Sequence, residues 1–149
     1  MIIKNYEIGE LQAFLFNLAL KNKESRMRTR FISLLEEQQE LIKKERLMLI
    51  NEYAVKNDDG QPMTEKKAID HEEIELVIFP SADVENEVKN QIALMMNEDF
   101  IIEETESKID MLKCLQDIVL NCDLEFTGAK ASLYNRFCEI FEDICLLEA

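Results

Sequence analysis

The residues able to do chemistry in this chain are one histidine, His71, four cysteines, and 31 acids set against 17 lysines and arginines. A Cys–His catalytic pair needs a histidine to activate the thiol and, as a triad, a third group to orient that histidine. His71 is the sole candidate, and it lies in the polar stretch Ile69-Asp70-His71-Glu72-Glu73, a loop-like setting without an apolar pocket. Cys114, Cys122, Cys138 and Cys145 are spaced by 8, 16 and 7 residues, whereas structural zinc sites use close pairs such as Cys-x-x-Cys. They read as reduced, buried thiols packed as small hydrophobes, with Cys138 and Cys145 on one helix face beside Phe141. The only three glycines, Gly9, Gly60 and Gly128, are too far apart for a G-x-G-x-x-G or P-loop phosphate cradle or for a G-x-S-x-G nucleophile turn. Acids at helical spacing, such as Glu139, Glu142 and Asp143, follow from composition, and a carboxylate-bridged metal pair would need Glu-x-x-His on two helices. The expectation is a protein with no metal, no cofactor and no enzymatic activity.

What the chain offers instead is negative charge, unevenly placed. Residues 1–56 carry ten bases and eight acids, a net of +2, while residues 57–149 carry seven bases and 23 acids, a net of -16, within a total of -14. No Lys or Arg falls between Lys67 and Lys89, where Asp70, Glu72, Glu73, Glu75, Asp83, Glu85 and Glu87 supply seven acids. Glu98, Asp99, Glu103 and Glu104 extend the run. These eleven are the candidate partner-binding residues, suited to a protein with a basic surface, whose encounter and selection such a field favours. The sharpest version is mimicry of nucleic acid in the basic groove of a nuclease or similar enzyme. A solvated acidic face that keeps a small protein soluble accounts for the same residues. Lys21, Lys23, Arg26, Arg28 and Arg30 crowd a helix junction without interleaved aromatics, and direct nucleic-acid binding is not expected of so acidic a chain.

The elements that must position these residues are mostly helices. With 149 residues, 47% of them apolar, 3 Gly and 2 Pro, the chain is expected to be a single domain, 1–149, able to bury roughly 70% of its unfolded surface. Apolar spacing predicts helices over 6–21, about 24–54, 82–97 and 106–121. Another is expected to be capped by Thr127, with Gly128 in its first turn and a stripe from Ala131 to Cys145. The second helix, at about 45 Å, is longer than a domain of this size is wide, so part of it is expected to project or to serve as a partner surface. Its Leu35, Ile42 and Leu49 recur at seven residues and are the candidate homodimer interface. Asn57-Asp58-Asp59-Gly60-Gln61-Pro62 is the clearest turn, and Tyr53–Lys56 and the segment after Pro62 are expected to form a hairpin across it. Met1–Asn5 reads as a short strand, and the runs at 75–79 and 99–103 read as strands paired with each other. The fold expected is mainly α, a helical bundle with one long helix and a small acidic α+β insert, 57–104, in the middle. The longest charge-free apolar run, Leu11–Leu20, is about half the ~20 residues a membrane span requires. The N-terminus lacks a basic region followed by an apolar one, so no membrane association and a cytoplasmic location are expected.

Four places in order resemble a family of small proteins, filed as a domain of unknown function, from tailed phages and prophages of Gram-positive bacteria. They are Ile3-Lys4-Asn5 with Ile8 and Phe14-Leu15, the long charged helix running into Tyr53-Ala54-Val55-Lys56 and the turn at 57–62, Asn97-Glu98-Asp99-Phe100, and Phe126-Thr127-Gly128 followed by Tyr134 and Phe137-Cys138-Glu139-Ile140-Phe141-Glu142. The resemblance implies action in the bacterial host cytoplasm or in a virion, and it brings no reaction and no catalytic residue. Two functions are open on this reading. One is an accessory protein that binds another protein, such as a host defence or nucleic-acid enzyme, through its acids. The other is a minor virion or tail-assembly component that oligomerises through its long helix.

Overall fold

The computed structural model describes residues 1–144. Among them the protein is mainly helical, in the order β1 (Ile2–Lys4), a 3-10 turn (Asn5–Glu7), α1 (Ile8–Phe16), α2 (Asn22–Tyr53), β2 (Thr64–Ile69), β3 (Glu72–Val77), α3 (Ala82–Met96), β4 (Asp99–Ile101), α4 (Ile109–Leu120) and α5 (Ala129–Glu142). The strands make two antiparallel two-stranded sheets, β1 with β4 and β2 with β3. Contacts gather the chain into two compact units, one of Met1–Gln39 with the chain from Glu98 onward, the other of Glu40–Asn97. The single long helix α2, 32 residues, contributes to both.

In the first unit, residues spaced three and four apart meet on one face of each helix. Ile8, Leu11 and Leu15 of α1 are buried with Met27, Phe31, Ile32 and Leu35 of α2, Met111, Leu112, Leu115 and Val119 of α4, and Phe137, Ile140 and Phe141 of α5. Aromatic rings join them, Phe31 to Phe141 at 5.6 Å between centroids and Phe14 to Phe137 at 5.2 Å. Polar side chains bond the carbonyls that neighbouring turns leave: Tyr134 Oη donates to Val119 O at 2.6 Å and Gln116 Nε2 to Phe141 O at 2.8 Å. β1 adds Ile3, fully buried, and pairs with β4 through Ile2↔Ile101, Ile3↔Phe100 and Lys4↔Asp99.

Several expectations are corrected. The strand at 99–101 pairs with β1 rather than with the run at 75–79, because a two-residue turn already closes β3 onto β2 and a local hairpin costs less chain entropy than a distant pairing. The segment after Pro62 is a strand, but the hairpin expected between it and Tyr53–Lys56 is limited to the Lys56↔Pro62 bridge and the Met63 N–H to Val55 O bond; β2 pairs instead with β3, and its six exposed residues show no apolar alternation that would mark its extent. α1 stops at Phe16 rather than at residue 21, where the Arg28 guanidinium reaches back to the carbonyls of Leu15, Phe16 and Leu18. Thr127 does not cap α5. Gly128 holds the capping position at φ 59°, ψ -130°, a backbone that L-residues rarely adopt. α5 ends at Glu142, and Cys145 lies outside the described residues. The turn at 57–62 forms as expected, with Asn57 Oδ1 accepting from the amides of Asp59 and Gln61 and Gly60 at φ 76°.

Candidate protein-binding surface

The second unit holds the β2–β3 hairpin. Its turn residues, Asp70 and His71, take φ of 51° and 70°, the two positive values of a type I′ turn, whose twist matches that of the flanking strands. Register then runs from Ile69↔Glu72 through Lys67↔Ile74 and Lys66↔Glu75 to Thr64↔Val77. Alternation puts Lys66, Ala68, Glu73 and Glu75 on one face, and Lys67, Ile69, Glu72 and Ile74 on the other. All of β2 and Glu72–Glu75 of β3 are exposed, and only Leu76 and Val77 are half-buried. A two-stranded hairpin bare on both faces is marginal by itself. Its anchor is at the base, where Met63 N–H donates to Val55 O at 2.7 Å, Val55 N–H to Ile78 O at 2.9 Å and Ile78 N–H to Met63 O at 2.9 Å.

This hairpin carries four of the expected acids, at its turn and along β3. Asp70, Glu72, Glu73 and Glu75 have no ion-pair partner among the described residues, whereas Lys67 is engaged by Glu65 at 3.6 Å. The acids of α3 are better explained by the helix. Ser81 Oγ accepts from Val84 N–H at 3.2 Å, and Asp83 and Glu85 occupy the first turn, where negative charge opposes the helix dipole. Glu85 also meets Lys89 at 3.4 Å, and Glu87 accepts from Gln91 at 2.8 Å. The remaining four acids belong to the first unit. Asp99 is paired with Lys4 at 2.6 Å and Glu104 with the N-terminal amine at 3.1 Å, while Glu98 and Glu103 are exposed.

The three residues expected to form an oligomer seam separate. Leu35 is fully buried in the first unit and is a core residue, so it is withdrawn from that surface. Ile42 and Leu49 are half-buried, and the exposed apolar side chains of α2 are instead Leu41, Leu47 and Met48. The basic cluster is partly structural: Arg28 holds the end of α1, and Lys23 pairs with Asp110 at 2.9 Å.

The other reactive groups are held quiet or lie apart. Cys114, Cys122 and Cys138 are free and half-buried rather than buried. Burial pushes the Cys114 thiol up, with Glu24 adding to it, so the reactive thiolate is scarce at neutral pH. Burial and the hydrogen bond with Cys138 push Tyr134 up to about 12. His71 sits exposed on the hairpin turn. An ion pair that sequence spacing gives no sign of ties the ends of the first unit: Arg136 Nε donates to Glu7 Oε1 at 2.7 Å and Lys4 N–H to Glu7 Oε2 at 2.9 Å. Burial alone would raise the Glu7 carboxyl, but Arg136 and the Lys4 amide outweigh it and hold it below its ordinary value near 4.5.

A hollow of about 360 Å³ in the first unit is lined by Phe14, Phe126, Tyr134, Phe137 and Leu133, with Glu10 and Lys130 at its edge. No described helix is long and apolar enough to cross a membrane. Comparison of the chain with models of protein families, with curated proteins and with solved structures finds no match.

Proposed function

We propose that this protein is a non-enzymatic binding protein that engages a partner with a basic surface through the β2–β3 hairpin. One observation carries the reading: the hairpin is bare on both faces, and its acids Asp70, Glu72, Glu73 and Glu75 form no ion pair among the described residues, although Lys66 stands opposite Glu75. Folding draws other acids of the stretch 70–104 into helix-end, ion-pair and hydrogen-bond roles and leaves these available. Ile69 and Ile74, 46% and 38% exposed, give the same ribbon an apolar component that a purely solubilising face does not need. The resemblance to small phage proteins supplies the setting, with the first unit a helical bundle and the partner in the bacterial cytoplasm, such as a host defence or nucleic-acid enzyme. The test is capture of the partner from host lysate at low salt. The triple reversal Glu72→Lys, Glu73→Lys, Glu75→Lys is expected to weaken capture about tenfold or more, with a steep loss on adding salt to the wild type. Capture indifferent to both changes overturns the reading.

A second reading is favoured by a separate observation, the exposure of Leu41 and Met48, seven residues apart on one face of α2. It makes the protein a minor virion or tail-assembly component that associates through that helix. Leu41→Lys with Met48→Lys would then shift the molar mass in solution from dimer to monomer while helicity is kept, and purified virions would contain the protein.

A further inference from the structure

We infer that the partner is bound by strand addition, as an extended segment alternating basic and apolar residues, on the outer edge of β3. This rests on the hairpin being the binding surface and adds the mode and the chemistry of what binds. A two-residue turn is closed by a hydrogen-bonded pair, here Ile69 with Glu72, and such pairs alternate with pairs whose backbone groups point outward. The parity is supported at the base, where Ile78 N–H donates to Met63 O. Glu65, Lys67 and Ile69 therefore turn their backbone toward Glu72, Ile74 and Leu76. The amides and carbonyls of Glu73, Glu75 and Val77 point away from the hairpin, and no third strand covers them among the described residues. They form a row about 13 Å long at ~3.3 Å per residue, able to hold a short strand by its main chain.

Charge selects what fits this row. On one face an added strand would lie beside Glu73, Glu75 and Val77, and on the other beside Glu72, Ile74 and Leu76. Lys or Arg on the first face meets two unpaired carboxylates, and an apolar residue on the second covers Ile74. The same acids oppose pairing of β3 with β3 of a second copy, since like charges would stand opposite one another. The outer edge of β2 is less suitable because Lys66 lies on it.

The experiment uses the full chain, labelled for NMR, and a short peptide alternating lysine with threonine or valine. Two further peptides carry N-methyl groups, one on its lysines and one on the intervening residues. In a strand only one of these sets turns its N–H toward the edge, whichever direction the peptide runs. Strand addition predicts slowed exchange of the Glu73 and Glu75 amides, about tenfold or more weaker binding by one methylated peptide, and little change with the other. The triple reversal to lysine is expected to remove binding of the parent peptide, with circular dichroism confirming that the variant folds. Loss on reversal with both methylated peptides binding like the parent would keep the acidic surface and overturn strand addition. Protection at Lys66 and Ala68, or head-to-tail self-association of the chain through this edge, would also overturn it. Binding indifferent to reversal and to salt would remove both the strand addition and the surface it rests on.

Discussion

Glu7 is 7% exposed, yet its carboxylate is well provided for: a guanidinium on one side and a backbone amide on the other. Its depressed pKa makes this a source of stability that is present at neutral pH and is lost as pH falls through the folded-state value, below 4.5. Glu7→Gln is expected to cost about 1 kcal/mol at pH 7, since Arg136 is partly solvated and water screens part of the gain. Chemical denaturation at pH 7 and at pH 3 checks it, and the gap between variant and wild type is expected to close at the lower pH. Neither this pair nor the hold of Arg28 on the end of α1 was legible in the sequence. Glu7 and Arg136 stand 129 positions apart, and Arg28 looked like one member of a basic cluster. Burial and partner choice come from the packed chain, and a single sequence carries no spacing rule for them.

At the scale of elements, helices were legible because each packs one apolar face, and the period of Ile8, Leu11 and Leu15 or of Phe137, Ile140 and Phe141 records it. Ends and strands were less so. Gly128 was read as an early helical residue, but its positive φ makes it the hinge on which α5 begins. Nothing lies within 4 Å of a Cβ built there, so Gly128→Ala is expected to cost about 1–3 kcal/mol from backbone strain alone. Thermal unfolding monitored by circular dichroism measures it. A strand after Pro62 is legible from the turn before it, but its extent and its partner are not, because β2 has solvent on both faces and no apolar face to announce it, and Asp-His lacks the glycine that usually marks a type I′ turn. Replacing Asp70-His71 by Asn-Gly is expected to relieve the two positive-φ positions and slow amide exchange in the hairpin, with little change in the first unit. Leu35→Ala, in the core rather than in a seam, is expected to cost about 2–5 kcal/mol.

For the whole molecule, folding redistributes the charge that looked so asymmetric along the chain. The unit Glu40–Asn97 carries seven bases and 13 acids, a net of -6, and the rest carries ten bases and 18 acids, a net of -8. The near-neutral N-terminal segment and the acidic C-terminal helices share one unit, where Lys4 meets Asp99, Lys23 meets Asp110 and Glu7 meets Arg136. The proposed binding surface therefore rests not on the total of -14 but on the few acids that form no ion pair among the described residues, on a ribbon with no core behind it. The acidic stretch holds those residues together with others that the fold employs, and the hairpin acids differ from Glu98 and Glu103, which likewise form no ion pair among the described residues, in lying on a ribbon that is bare on both faces.

The hairpin, and not the exposed stripe of α2, is the surface proposed to meet a partner. Site-specific photo-crosslinking in host cells tests it most directly, with a photoreactive residue placed at Ile74 in one variant and at Met48 in another. Ile74 is expected to yield a crosslink to a different protein that Glu72→Lys with Glu73→Lys removes, while Met48 is expected to yield none. A crosslink from Met48 to a second copy of this chain, with none from Ile74, would contradict it.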